Sequence, residues 1–76
     1  MAELDPLGPV ADELASVVAL RELADQREDA AVESALRAGW TWTDVATALG
    51  VTRQAVHKKH LARLVLAGVD LRRRNG

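Results

Sequence analysis

The chain has 76 residues, enough for one small domain, and it contains no cysteine, which excludes disulfide bonds and thiolate metal sites. Nearly half of its residues are apolar, mainly alanine, valine and leucine, which favours helices, but no apolar stretch is long enough to span a bilayer. The composition therefore predicts an all-α fold. The acidic start lacks the basic and then apolar pattern of a secretory signal, so we expect the protein in the cytoplasm.

The net charge of −1 conceals a marked difference between the two halves of the chain. Residues 1–36 hold nine acidic and two basic side chains, whereas residues 37–76 hold eight basic and two acidic ones. Contacts with phosphate require only a local basic face. The distribution therefore favours a second half that binds nucleic acid, the alternative being a solvated charged surface without such a role.

The first segment has the pattern of a long acidic helix. Pro9 suits the first turn of a helix, and neither glycine nor proline occurs from Val10 to Ala38. Aliphatic side chains recur at the three- and four-residue spacing of one helix face, at Leu7, Val10, Leu14, Val17, Val18, Leu20, Leu23 and Ala24. Residues 25–29 are almost wholly polar, which makes them a candidate for a bend or break. We therefore assign residues 1–29 to an acidic N-terminal helix.

This aliphatic stripe is wider than a small domain can cover, so it requires a partner. An isologous two-fold dimer is the commonest solution, and a small chain often gains stability by self-association. We predict a homodimer whose contact is made by the stripe, through Val10, Leu14, Val17 and Leu20. The alternative is a different protein, of basic character, bound to the acidic outer face.

A short second helix follows Gly39, which is a natural stop for the first helix. Thr41 and Asp44 have the spacing of a capping box, and Thr43 is the competing cap. The second helix is expected to end at Leu49, because a glycine comes next.

Thr52 is the expected N-cap of a third helix, which runs from Arg53 to about Ala67 before another glycine. Residues 30–68 thus form a helix-turn-helix unit. Residues 69–76 form a basic tail that we expect to be frayed.

The spacing within this unit matches what two short helices that cross at a steep angle require. A small residue belongs at the crossing, a glycine at the turn, and an apolar residue both after the glycine and five positions later: Ala46, Gly50, Val51 and Val56. The inner face is completed by Val45, Leu49, Leu61 and Leu64. Trp40 and Trp42 are expected in the core, since it has no other aromatic side chain.

With this spacing, residues 39–59 resemble the helix-turn-helix of small bacterial transcription regulators and of sigma-factor region 4. The run from Thr52 to Lys58 is similar to the start that recognition helices of such proteins commonly have. The resemblance implies that the third helix enters the major groove with its N-terminal residues first. It departs from the pattern at Lys59, where many such units have an apolar residue. Either Lys59 faces outward or Leu61 takes over the packing role.

In that docking, Arg53 suits guanine and Gln54 suits adenine, at about 1–3 kcal/mol of discrimination each. His57 and Lys58 lie one turn further on, within reach of bases or phosphates. Four more residues are candidate phosphate contacts, two near helix N-termini and two as added backbone charge: Thr43, Thr52, Lys59 and Arg63. The arginines at 72–74 either follow the DNA or form a solvated tail.

The sequence offers few residues suited to metal binding or catalysis. His57 and His60 lie three residues apart, but two imidazoles without a nearby cysteine or carboxylate make a poor metal site. Ser16 and Ser34 lie within helices with no histidine near them in sequence, so we expect neither an enzyme nor a bound cofactor.

The sequence therefore predicts a nucleoid-associated transcriptional regulator that binds double-stranded DNA sequence-specifically. We expect a homodimer with recognition helices on half-sites about 34 Å apart. The alternative is a protein–protein interaction module of the same fold, an adaptor or a sigma/antisigma-like partner, that uses the acidic N-terminal helix.

Overall fold

The computed structural model describes residues 8–71, and over this range the chain contains helices but no strand. A long helix, α1 (Gly8–Arg37), is followed by two shorter ones, α2 (Trp42–Leu49) and α3 (Arg53–Leu66). This confirms the predicted all-α architecture with a long first helix. Within residues 8–71, no helix combines the length and the apolar character that crossing a membrane requires.

α1 is continuous through its polar stretch. Its 30 residues include 25–29 without interruption, so the alternative of a break in the helix is wrong. The polar side chains of this stretch contact α3 instead: Asp25, Glu28 and Asp29 form ion pairs with basic side chains of that helix. The boundary drawn between residues 29 and 30 therefore falls inside one helix.

Two glycines end α1 and α2 in the same way. Gly39 and Gly50 have φ angles of 98° and 71°, in the left-handed region that favours glycine. After each of them the next residue bonds back to the helix: the N–H of Trp40 donates to the carbonyl of Ala35 at 3.0 Å. This is the Schellman arrangement, and it turns the chain sharply at both places.

The predicted helix caps at Thr41 and Thr52 are confirmed. Thr41 Oγ1 accepts from the N–H of Asp44, and Asp44 Oδ2 accepts from the N–H of Thr41, both at 3.0 Å. Thr52 Oγ1 accepts from the N–H of Ala55 at 3.1 Å. Thr43, the competing cap, lies in the first turn of α2 with its side chain exposed.

The core lies at one end of the molecule, between the C-terminal half of α1 and the two short helices. Its buried members are Val32, Leu36, Trp42, Val45, Ala46, Val56, Leu64 and Val69. Leu61 is partly buried against them. Because Val69 is buried and Leu71 packs beside it, the core extends past the predicted start of the tail. Residues 1–7 and 72–76 lie outside the described range.

Three of the predicted core residues are in fact exposed. Trp40 is 44% exposed, Leu49 39% and Val51 47%, so their predicted burial is wrong. Each lies at a helix end, where the chain is turning away from the core. Trp42 alone supplies the aromatic side chain of the core.

Candidate nucleic-acid interface

The first two turns of α3 present three exposed polar side chains. Gln54 and Lys58 are exposed four residues apart, which places them on one stripe of the helix, and Arg53 is exposed at its start. The buried side chains of α3 lie on the opposite side. Within residues 8–71, neither Arg53 nor Lys58 has an ion-pair partner.

The start of α3 adds a second feature that suits an anion. Its first turn contains no acidic residue, so the positive end of the helix dipole is not compensated. The backbone N–H groups of Arg53 and Gln54 precede the N–H that Thr52 caps. Thr52 uses an oxygen lone pair for the cap, which leaves its hydroxyl proton available for a phosphate oxygen.

Further along α3 the same side becomes apolar. Ala62 and Val65 follow Lys58 on the exposed stripe, and Val65 is 59% exposed. Neither side chain forms hydrogen bonds. The exposed polar side chains on this side of α3 are therefore confined to its first two turns.

His57 differs from its neighbours because it is half-buried. Its ring meets that of Trp42 edge-on, with the ring centroids 5.0 Å apart and an interplanar angle of 74°. Edge-to-face contacts of this kind are favourable for aromatic rings. His57 thus links the start of α3 to Trp42 of α2 and is only partly exposed to a ligand.

Lys59 and Arg63 lie on the side of α3 that faces α1. The Nζ atom of Lys59 is 3.0 Å from Glu28 Oε2 and 3.5 Å from Asp25 Oδ1. Arg63 Nη1 is 3.3 Å from Glu33 Oε1, and its Nη2 donates to the carbonyl of Asp29 at 3.2 Å. This placement explains why a lysine occupies position 59, where many of the units that residues 39–59 resemble have an apolar residue: an acidic surface, rather than an apolar one, packs against it.

The contact between Lys59 and Glu28 also changes their protonation. The hydrogen bond from Lys59, followed by one from His60, lowers the pKa of Glu28 below its ordinary value. The same hydrogen bond with Glu28 raises the pKa of Lys59. Both groups are therefore stabilised in their charged forms.

His60 is the polar residue that sequence reasoning placed least well. Its side chain is 1% exposed, and its Nε2 lies 2.7 Å from Glu28 Oε2. Arg63 Nη2 lies 3.0 Å from Nδ1, and since a guanidinium only donates, Nδ1 accepts and Nε2 carries the proton toward Glu28. The signal in the sequence was the matched spacing of acids in α1 and bases in α3.

The other candidates are divided between α2 and the residues outside the described range. Thr43 is exposed next to Asp44, whose negative charge makes this helix start less suitable for phosphate than the start of α3. The arginines at 72–74 lie outside the described residues. Over residues 8–71 no group of three metal-ligating side chains is present.

Comparison of the chain with known protein families, with curated proteins and with solved structures gives no match. The resemblance of residues 39–59 to helix-turn-helix regulators therefore stays a prediction that depends on the spacing of the residues.

Proposed function

We propose that the protein binds double-stranded DNA sequence-specifically through the major groove, using the first two turns of α3, and that it regulates transcription as a homodimer. One observation carries this proposal. Among the described basic side chains from residue 37 onward, Arg37, Lys59 and Arg63 form ion pairs with acidic side chains of α1, the first of them from within that helix. The remaining two are exposed and take part in no such pair: Lys58 lies on the outward side of α3, and Arg53 lies at the start of the helix.

The four side chains of this surface have different roles in the proposal. Arg53 and Gln54 read base edges: two N–H donors of arginine match the two acceptors of guanine, and the amide donor and acceptor of glutamine match adenine. Lys58 and the hydroxyl of Thr52 contact phosphates and fix the position of the helix. The surface is smaller than the sequence suggested, since Lys59 and Arg63 are left out of it.

The acidic residues of α1 are compatible with this role. Those nearest to α3 are Asp25, Glu28, Asp29 and Glu33, and each lies within 4 Å of a basic or imidazole nitrogen. Their charge is therefore partly neutralised where it would otherwise repel phosphate. The acids on the free half of α1 are further along the helix, away from the core.

Selection of bound sites from random duplexes tests the proposal directly. We expect a defined recognition sequence, palindromic if two copies bind, and a location on the nucleoid in cells. Arg53→Ala should retain the fold and lose preference at one position of the site, with a loss of about 1–3 kcal/mol there. Failure of the wild-type chain to enrich any sequence would overturn the proposal.

A second candidate function, a protein–protein interaction module, is favoured by the exposed aliphatic face of α1. Val10, Leu14 and Leu20 are 47%, 60% and 64% exposed, which is unusual for adjacent turns of a stable surface helix. In this alternative a different protein covers the face. Light scattering of the purified chain separates the two, because a homodimer forms without any added protein.

A further inference from the structure

One face of α1 is covered at one end and exposed at the other. At 3.6 residues per turn, Val10, Leu14 and Val17 lie within an arc of roughly 100°, and Val32 and Leu36 lie in the same arc. The last two are buried by α2 and α3, whereas the first three are 41% to 60% exposed. The helix-turn-helix unit therefore covers only the C-terminal part of a continuous aliphatic face.

This arrangement limits how a second copy can lie on the exposed part. In a parallel pair of α1 helices, both helix-turn-helix units would be at the same height and on the facing sides, where they would occupy the same space. In an antiparallel pair, each unit lies beyond the N-terminal end of the other α1. We propose that the protein forms an antiparallel dimer through α1, with the N-terminal end of each helix against the helix-turn-helix unit of the other copy.

Charge on the edge of the stripe favours the same orientation. Glu13 and Arg27 lie on the same flank, and within residues 8–71 neither has an ion-pair partner. Residues on the same flank face one another across an antiparallel pair. If Val10 lies opposite Ala31, then Glu13 lies within about one residue of Arg27 of the second copy, twice per dimer. In a parallel pair the same flank of each helix would lie on opposite sides of the interface, so Glu13 of one copy could not meet Arg27 of the other.

An apolar groove lies where the N-terminal end of the second α1 would arrive. Ala31 and Ala35 of α1 form one wall, and Trp40, Val45 and Leu49 form the other. Both alanines are on the side of α1 that also carries Val17 and Leu20. The exposure of Trp40 and Leu49 is explained if the second copy covers this groove.

The inference rests on the homodimer of the proposed function but not on DNA binding, so its test contains no DNA. Because the chain has no cysteine, single-cysteine variants report contacts without background. Val10→Cys and Ala31→Cys, mixed and treated with a short bismaleimide, should give a covalent dimer. Each variant alone should not, because its two copies of the cysteine would be about 30 Å apart along the helices. Ala19→Cys, on the opposite side of α1, is the matched control.

The outcomes are distinct. Cross-linking of Val10→Cys with itself would show a parallel pair and overturn the inference, while a monomer by light scattering would overturn the dimer as well. Glu13→Arg and Arg27→Glu should each weaken dimerisation at least several-fold, and the double variant should restore it. Failure of the double variant to restore dimerisation would contradict the proposed pairing.

The fluorescence of Trp40 should shift to shorter wavelength on dimerisation, and Trp40→Phe should abolish that shift because Trp42 is already buried.

Discussion

The side chain of His60 shows how α3 is held on α1. A buried imidazole is costly unless both ring nitrogens have partners, and here Glu28 and Arg63 supply them. Lys59 shares the carboxylate of Glu28, so one acidic residue joins two adjacent positions of α3. The long helix and the third helix are therefore joined by a polar cluster at the edge of a small aliphatic core.

The polar cluster around Glu28 predicts that the folding stability of the chain decreases in acid. Because the pKa of Glu28 is lowered in the folded chain, its contribution to stability is full above the unfolded carboxyl value of about 4.3. That contribution is lost as the pH falls through the lower, folded pKa. Glu28→Gln should reduce the melting temperature near neutral pH and show a smaller decrease than the wild type on acidification.

Thermal unfolding followed by circular dichroism from about pH 7 to about pH 3 checks this prediction. Glu22→Gln is the matched control, since within residues 8–71 Glu22 forms no ion pair, and it should follow the wild-type curve. If the Glu28→Gln and wild-type curves stay parallel, Glu28 does not contribute in the way described.

Among the helices, α2 is the one whose stability depends most on the residues at its ends. It has only eight residues, too few to be stable alone, so its cap and its glycine turn matter more than its helix propensity. Thr41 and Asp44 together satisfy two backbone groups at its start. α2 in turn positions Trp42, against which both the core and His57 pack.

Removal of this cap has a defined cost. Thr41→Ala should lower the free energy of unfolding by about 1 kcal/mol, because the N–H of Asp44 loses its acceptor. Thr43→Ala, in the same turn but outside the cap, should change it by less than about 0.5 kcal/mol. Urea denaturation at one protein concentration measures both. Equal losses in the two variants would show that the capping box is not what stabilises α2.

The elements also show which features could be predicted from sequence. Caps and glycine stops depend on residues within four positions of each other, and the predictions at Thr41, Gly50 and Thr52 were correct. The continuity of α1 was not predictable in this way. Residues 25–29 read as a polar break because their partners, Lys59 and His60, are more than 30 positions away.

Burial of single side chains was predicted less evenly, for a related reason. Val45, Val56 and Leu64 lie on helix faces whose direction is fixed by periodicity, and they are buried as expected. Trp40 and Val51 lie in turns, where periodicity gives no direction, and both are exposed. The candidate site shows the same limit. The sequence identified the basic residues of α3, but only the packing of α3 against α1 shows that Lys59 forms ion pairs with α1 and Lys58 does not.

At the scale of the whole molecule, residues 8–71 form a compact end and a projecting helix. The compact end contains the described core and the polar surface of α3, while the free half of α1 carries exposed aliphatic side chains. In the function that we propose, the first part presents a surface to DNA and the second presents one to a second copy of the chain. In this account the ion pairs between α1 and α3 determine which basic residues remain available.

The most direct test of the account is the salt dependence of DNA binding by two adjacent lysine variants. Fluorescence anisotropy with a selected duplex should give a slope of log affinity against log salt that falls by about one for Lys58→Gln, because one phosphate contact is lost. Lys59→Gln removes the same charge from the side that faces α1 and should leave the slope unchanged. Binding that does not depend on salt, or equal effects of the two substitutions, would contradict the assignment of the outward side of α3 as the DNA-binding surface.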